Sequence, residues 1–219
     1  MRKYTLKAYR NFLRSIPTPY ILRHDVDRRA NAALDMAVIE SEFDIVSTYY
    51  FRVPFDEYYV KTIAALGHEI GYHYEVMDKA KGHHGKAVRI FRKELEELRK
   101  IYPVTKCAAH GNPLTPYNNQ DFVYLLTLLS FGVRDATETK SAFYWTDTGR
   151  GNPSYNLKEH IPKGNELIFY YNIHPERWND GIMWYYQWCF DFLCNQIKRV
   201  IKYARFTHQS PTYQRTTIR

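Results

Sequence analysis

Cysteine is scarce in this 219-residue chain: Cys107, Cys189 and Cys194 are an odd number without C-x-x-C spacing. Neither a disulfide framework nor a thiolate zinc site is expected, and reduced thiols point to a cytoplasmic protein. Long apolar runs are missing as well. No stretch approaches the roughly 18 residues of a membrane span, and Tyr4 to Ser15, though basic, holds no apolar core of a secretion signal. Acidic residues are absent from both ends, so residues 1 to 14 carry +5 and residues 192 to 219 carry +6. Against a total of +8 this leaves −3 for the region between them, which disfavours a basic nucleic-acid cleft. The basic ends are expected to be solvated surface, with peripheral contact to an anionic membrane as their other use. Aromatic residues are plentiful at 16%, including 20 tyrosines, which argues against disorder over most of the length.

The length suits one α/β domain over residues 1–219, with 206–219 a loose basic tail. Apolar runs at Tyr20 to Val26, Ile45 to Phe51, His68 to His73, Val104 to Ala109, Gly132 to Ala136, Phe143 to Thr146 and Leu167 to Ile173 read as strands. Between them, Arg29 to Phe43, Asp56 to Leu66, Lys86 to Lys100 and Asp121 to Leu129 carry helical spacing. A last helix is expected over Ile182 to Ala204, with Tyr186, Cys189, Leu193, Ile197 and Val200 along one stripe. Its Trp184, Trp188 and Phe190 read as packing. Alternating strands and helices imply parallel pairing with right-handed crossovers, in an open doubly wound sheet or a barrel.

The chemistry concentrates just past the strands. Arg23, Asp25 and Asp27 share one face of the first strand, whereas His24 and Val26 share the other. Two carboxylates so close repel unless a cation or a proton intervenes. His73, Glu75, His110, Asp147 and His174 also follow apolar strands, at the carboxyl edge where α/β folds place their sites. Singly they could be a helix cap, a core histidine or a turn residue. Jointly they are the oxygen and imidazole donors that zinc and similar cations take. His68 falls on the opposite strand face from His73 and is expected to pack or hydrogen-bond there. His83 and His84 read as an exposed loop.

Three strings resemble motifs of the polysaccharide deacetylase superfamily, carbohydrate esterases that remove acetyl groups from sugars. Arg23-His24-Asp25-Val26-Asp27 is similar to the first motif in its D-x-D form, Gly67-His68-Glu69-Ile70-Gly71-Tyr72-His73 to the second, and Tyr171-Asn172-Ile173-His174-Pro175 to the last. The resemblance implies a distorted (β/α) barrel of about seven parallel strands. It also implies Asp25 as general base, Asp27 and His73 as metal ligands, His174 as general acid and Asp147 as its orienting partner. Two positions depart from the pattern. Met77 stands where a further ligand histidine is usual, and Cys107 to Pro113 lacks the arginine that usually holds the base. His110 is the favoured third ligand, with Glu75 the alternative, and Arg23 or Arg177 is left to hold Asp25.

The function so implied is removal of an acyl group, N-acetyl above all, from a sugar by an enzyme carrying one divalent ion, zinc first. A cytoplasmic, nucleotide-linked or lipid-linked saccharide is the expected substrate, and no nucleic-acid partner is expected. The alternatives are a catalytically silent carbohydrate-binding protein of the same fold and a hydrolase of a non-sugar amide.

Overall fold

The computed structural model describes residues 4–112, 114–136, 142–148 and 168–178, together with positions 186, 189, 193, 196 and 197. Those isolated positions are helical, but the rest of the expected last helix, including Trp184, Trp188, Phe190 and Val200, lies outside the described residues, as does the basic tail. Tyr186, Leu193 and Ile197 are exposed, so this part of the expected stripe is not packed into the core.

Seven strands form one sheet: β1 (Tyr20–Val26), β2 (Thr48–Phe51), β3 (Glu69–Tyr74), β4 (Lys106–Ala109), β5 (Arg134–Asp135), β6 (Ala142–Thr146) and β7 (Ile168–Ile173). Their order is β5-β4-β3-β2-β1-β7-β6, and every adjacent pair is parallel. The sheet curls into a half-barrel, a distorted (β/α) barrel with β1 near its middle. Among the described residues, six continuous helices accompany it: α1 (Leu6–Leu13), α2 (Ala30–Ser41), α3 (Glu57–Ala65), α4 (Val76–Lys79), α5 (His84–Arg99) and α6 (Val123–Leu129). No helix among the described residues is long and apolar enough to cross a membrane.

Sequence expectations and structure part in three places. Helix α1 was hidden by its basic residues, yet Tyr9, Phe12 and Leu13 form a buried stripe, and Thr5 caps it by accepting from the Ala8 amide at 3.0 Å. The single turn α4 is too short to show a period. His83 and His84 are exposed as expected, but His84 opens α5 rather than lying in a loop.

Alternation along the strands divides the sheet. Tyr49, Phe51, Ile70, Tyr72 and Tyr74 enter an apolar core with Val60 and Ile63 of α3 and Phe91 and Leu95 of α5. Leu22, Phe169, Tyr171 and Ile173 join a second core with α1, Met36 and Trp178. Residues between these face the other way, and there the register sets Asp25 beside Tyr50 and Tyr50 beside Gly71. A Cβ on Gly71 would lie 2.4 Å from the Tyr50 ring, so glycine is what lets that ring lie against β3. The same ring sits 5.1 Å from the Arg23 guanidinium, so it also walls the base of the site.

Candidate metal centre and acid–base pair

His73 ends the polar row of β3, and its ring is fixed by one backbone contact. Nδ1 lies 3.0 Å from the Ala108 carbonyl, to which it donates, so Nε2 presents a lone pair. That lone pair faces Asp27 Oδ1 at 3.3 Å and His110 Nδ1 at 3.2 Å. The third edge, from His110 Nδ1 to Asp27 Oδ1, is 3.0 Å. Despite these short separations, Asp27 Oδ1 is a buried oxygen without a well-directed hydrogen bond. The two imidazoles share one hydrogen bond, and all three ligand atoms lie close enough together to be shared by a single cation.

The edge lengths can be compared with coordination geometry. Ligands about 2.05 Å from a tetrahedral zinc lie about 3.3 Å apart, and those about 2.1 Å from an octahedral ion lie about 3.0 Å apart. The observed edges span 3.0 to 3.3 Å, so the three residues fit a divalent ion as they stand. Among the described residues no other group of three such side chains converges in this way. Two imidazoles and one carboxylate suit zinc and its transition-metal neighbours better than magnesium or calcium. Burial opposes the charge on Asp27, but His110 and His73 outweigh it and hold the carboxyl well below the ordinary range.

Glu75, the alternative third ligand, is turned to other partners. Its two oxygens pair with Arg52 and, at 3.2 Å, with Lys79. Arg52 also donates to the Asp27 carbonyl at 3.3 Å. It stands directly after β2, where the rule that picked out the other polar residues at strand exits would have found it.

Beside the triad lies Asp25. Arg23 grips both its oxygens, with Nε to Oδ1 at 2.6 Å and Nη2 to Oδ2 at 2.8 Å. Between the two arginines left open by the sequence, Arg23 is thus the one on Asp25; Arg177 lies in the 3-10 turn Pro175–Arg177 after β7. Burial raises the Asp25 carboxyl, yet Arg23, then His73 and His174, outweigh it and bring the group down to about 2. Its Oδ2 stands 3.9 Å from His73 Nε2 and 3.8 Å from His174 Nε2, between the triad and the last motif.

His174 is held from behind. Asp147 Oδ1 lies 2.7 Å from its Nδ1, and Asp147 Oδ2 accepts from the His174 amide and from Trp178 Nε1, both at 2.9 Å. Desolvation lowers the imidazole, but Asp147, then Asp25 and Asp27, raise it to about 9. At neutral pH, therefore, His174 is an imidazolium whose Nε2–H faces Asp25. Trp178 was not singled out from the sequence, and only its contact with Asp147 marks it. Glu176 was also missed: it is buried, and burial followed by the Asp27 charge pushes its carboxyl up to about 7.

His68 takes no part in the triad. Its Nδ1 accepts from the Ser47 amide at 3.2 Å and its Nε2 faces the Ala37 carbonyl at 3.0 Å. On that same far side of β1, Glu40 of α2 is fully buried and bonded by His24 at 2.6 Å, Tyr49 at 2.8 Å and Tyr9. That cluster ties the back of β1 to α1 and α2.

No family model and no curated protein matches the chain. A solved structure of a family 4 carbohydrate esterase from Bacillus anthracis is similar at a TM-score of 0.43 and 13% identity, over 87% of this chain and 85% of that one. Likeness at that level carries no functional argument, and the chemistry of this chain is read from the Asp27, His73 and His110 triad and the Asp25 and His174 pair beside it.

Proposed function

We propose that the protein is a divalent-metal-dependent hydrolase that removes an acyl group, N-acetyl foremost, from a sugar. The observation that carries this reading is the juxtaposition of a three-donor centre with an ionised carboxylate and an imidazolium only 3.8 Å apart. Binding alone needs neither a proton acceptor nor a proton donor. The sugar class rests on the three motif strings, and the compartment on the odd number of cysteines without C-x-x-C spacing, which supports a cytoplasmic saccharide or a nucleotide-linked or lipid-linked sugar.

Asp27, His73 and His110 would hold the ion, zinc first. A divalent ion there supplies an electrophile for the acyl oxygen and brings the pKa of water to about 7. Asp25, ionised throughout the neutral range, takes the proton of the attacking water on Oδ2, the oxygen nearest His73 and His174, at the lone pair that the Arg23 bond leaves open. Arg23 keeps the carboxylate from rotating and compensates its buried charge. His174 gives its Nε2 proton to the departing nitrogen, which is too poor a leaving group as an anion. Asp147 holds His174 in the orientation that points Nε2 into the site and stabilises the charged ring. After one turnover Asp25 holds a proton and His174 lacks one, so exchange with solvent must reset both.

A silent carbohydrate-binding protein is the reading that Met77 favoured, and His110 in the triad supports the active one instead. The test is acetate release from a panel of N-acetylated sugars and nucleotide sugars, beside elemental analysis of the purified protein. About one divalent ion per chain with metal-dependent acetate release is expected. Protein that takes up no ion, or acetate release unaffected by a chelator, would sink the proposal.

A further inference from the structure

Asn119 belongs to no motif, yet its buried amide uses all of its hydrogen-bonding capacity. Its Oδ1 accepts from the amides of Met77 at 2.9 Å and Asp78 at 3.3 Å. Its Nδ2 donates to Asp78 Oδ2 at 3.0 Å and to the His110 carbonyl at 2.9 Å. The opposite amide orientation would set like against like at all four contacts, so the pattern fixes it. These partners matter for where they lie. Met77 and Asp78 are in the first turn of α4, which has no side-chain cap of its own and follows β3 just after His73. His110 belongs to the exit of β4. A single side chain thus joins the segment that follows one histidine of the triad to the backbone of the other.

We propose that Asn119 is a positioning residue for the metal centre, holding His110 at the spacing from His73 that lets both imidazoles and Asp27 share one ion. This rests on the metal reading of the triad. The physical reason is that His110 leaves the sheet at Ala109 and has no strand to hold it. Its amide donates to the Tyr74 carbonyl at 2.8 Å, which fixes the peptide plane before it, and Asn119 holds its carbonyl, which fixes the plane after it. With both ends of the residue tied to the β3–α4 segment, the imidazole moves with His73 instead of with its own loop. Thr115, which donates to Asp78, adds a second attachment of that loop to α4. Position 77, where the related motif offers a histidine, is here a methionine whose backbone forms one jaw of the clamp, so the third donor comes from the clamped loop.

An exchange of side chains isolates the contact. In the double variant Asp78→Asn, Asn119→Asp, net charge is unchanged, and the carboxylate introduced at 119 still accepts from both α4 amides. The amide introduced at 78 donates to that carboxylate and still accepts from Thr115. Only the bond to the His110 carbonyl is lost, replaced by an oxygen facing an oxygen. Asp78→Asn alone serves as control, because it retains Asn119 and its bond to His110.

Zinc affinity by competition with a chromophoric chelator and the visible spectrum of the cobalt-loaded protein are the readouts, with melting of the metal-free protein beside them. The exchanged variant is expected to bind zinc about 10-fold or more weakly than the parent and to change the cobalt spectrum. The single variant is expected to keep parent affinity and to melt near the parent when metal-free, whereas the exchanged variant, with an oxygen facing an oxygen, is expected to melt lower but still in one cooperative transition. Parent-like zinc affinity in the exchanged variant overturns the inference, as does an equal loss in the single variant, which would assign the effect to α4. A parent protein that binds neither zinc nor cobalt refutes the metal centre itself, and Asn119's role falls with it.

Discussion

Replacing Asp147 by asparagine tests the assignment of His174 as the acid, since it removes one charge and keeps the shape of the pair. The amide oxygen of the variant is held by the His174 amide and Trp178 Nε1, the two donors that now meet Asp147 Oδ2. Its nitrogen then faces His174 Nδ1 and donates to it, so the ring carries its proton on Nε2 and resists a second. In the parent, burial lowers His174 while Asp147, Asp25 and Asp27 raise it to about 9. Without the Asp147 charge, the group should fall to the ordinary value of about 6.5 or below. A difference of about 2.5 units corresponds to about 3 kcal/mol. At pH 8 about nine-tenths of the parent's His174 is protonated and about 3% of the variant's, a loss of about 30-fold in competent acid. At pH 6 the two proteins agree within about twofold.

Stability carries the same signature. A folded-state pKa raised above the unfolded one stabilises fully below about pH 6.5, and the contribution is lost as pH rises through about 9. Parent protein is therefore expected to lose melting temperature across that window, and Asp147→Asn to lose much less. Titration of the His174 imidazole by NMR in the metal-free protein is the direct assay. A parent His174 that titrates near 6.5, or a variant that still titrates near 9, refutes the reasoning.

Three further outcomes are expected. Asp25→Asn should keep its ion but lose turnover by about 10²-fold or more, because Arg23 retains an oxygen to bond while the proton acceptor is gone; metal content and rate are measured together. His110→Ala should weaken zinc binding by about 10-fold or far more, whereas Glu75→Gln, at a residue engaged by Arg52 and Lys79, should leave it near the parent; chelator competition gives both numbers. Gly71→Ala should destabilise by about 1–3 kcal/mol in chemical unfolding, because its Cβ would meet the Tyr50 ring at 2.4 Å and push it against Arg23.

Much of this site was written in the order of residues along the chain. Alternation on a strand is a local rule, so Arg23 and Asp25 on one face and His24 on the other followed from spacing, and the structure separates them in that way. Parallel pairing followed from the alternation of strands and helices, and with it the carboxyl edge that gathers Asp25, Asp27, His73, His110, Asp147 and His174. What sequence alone left open was every choice that depends on distance between segments. Glu75 and His110 were both candidates for the third donor, and the structure sets Arg52 and Lys79 on the first and Asp27 and His73 beside the second, which favours the proposal of His110. Arg23 and Arg177 were equal candidates for Asp25 until one was found bonded to both its oxygens. Asn119, Arg52 and Trp178 act across 9 to 42 positions of chain, through contacts that no local period encodes. Helix α1 differs from these: Leu6, Tyr9, Phe12 and Leu13 fall at helical spacing behind the Thr5 cap, a local signal masked by the basic residues set among them. Spacing along the chain determined which groups face together, and packing of distant segments decided which of them meet, because hydrogen-bond and coordination distances admit errors of tenths of an ångström and sequence periodicity does not resolve them.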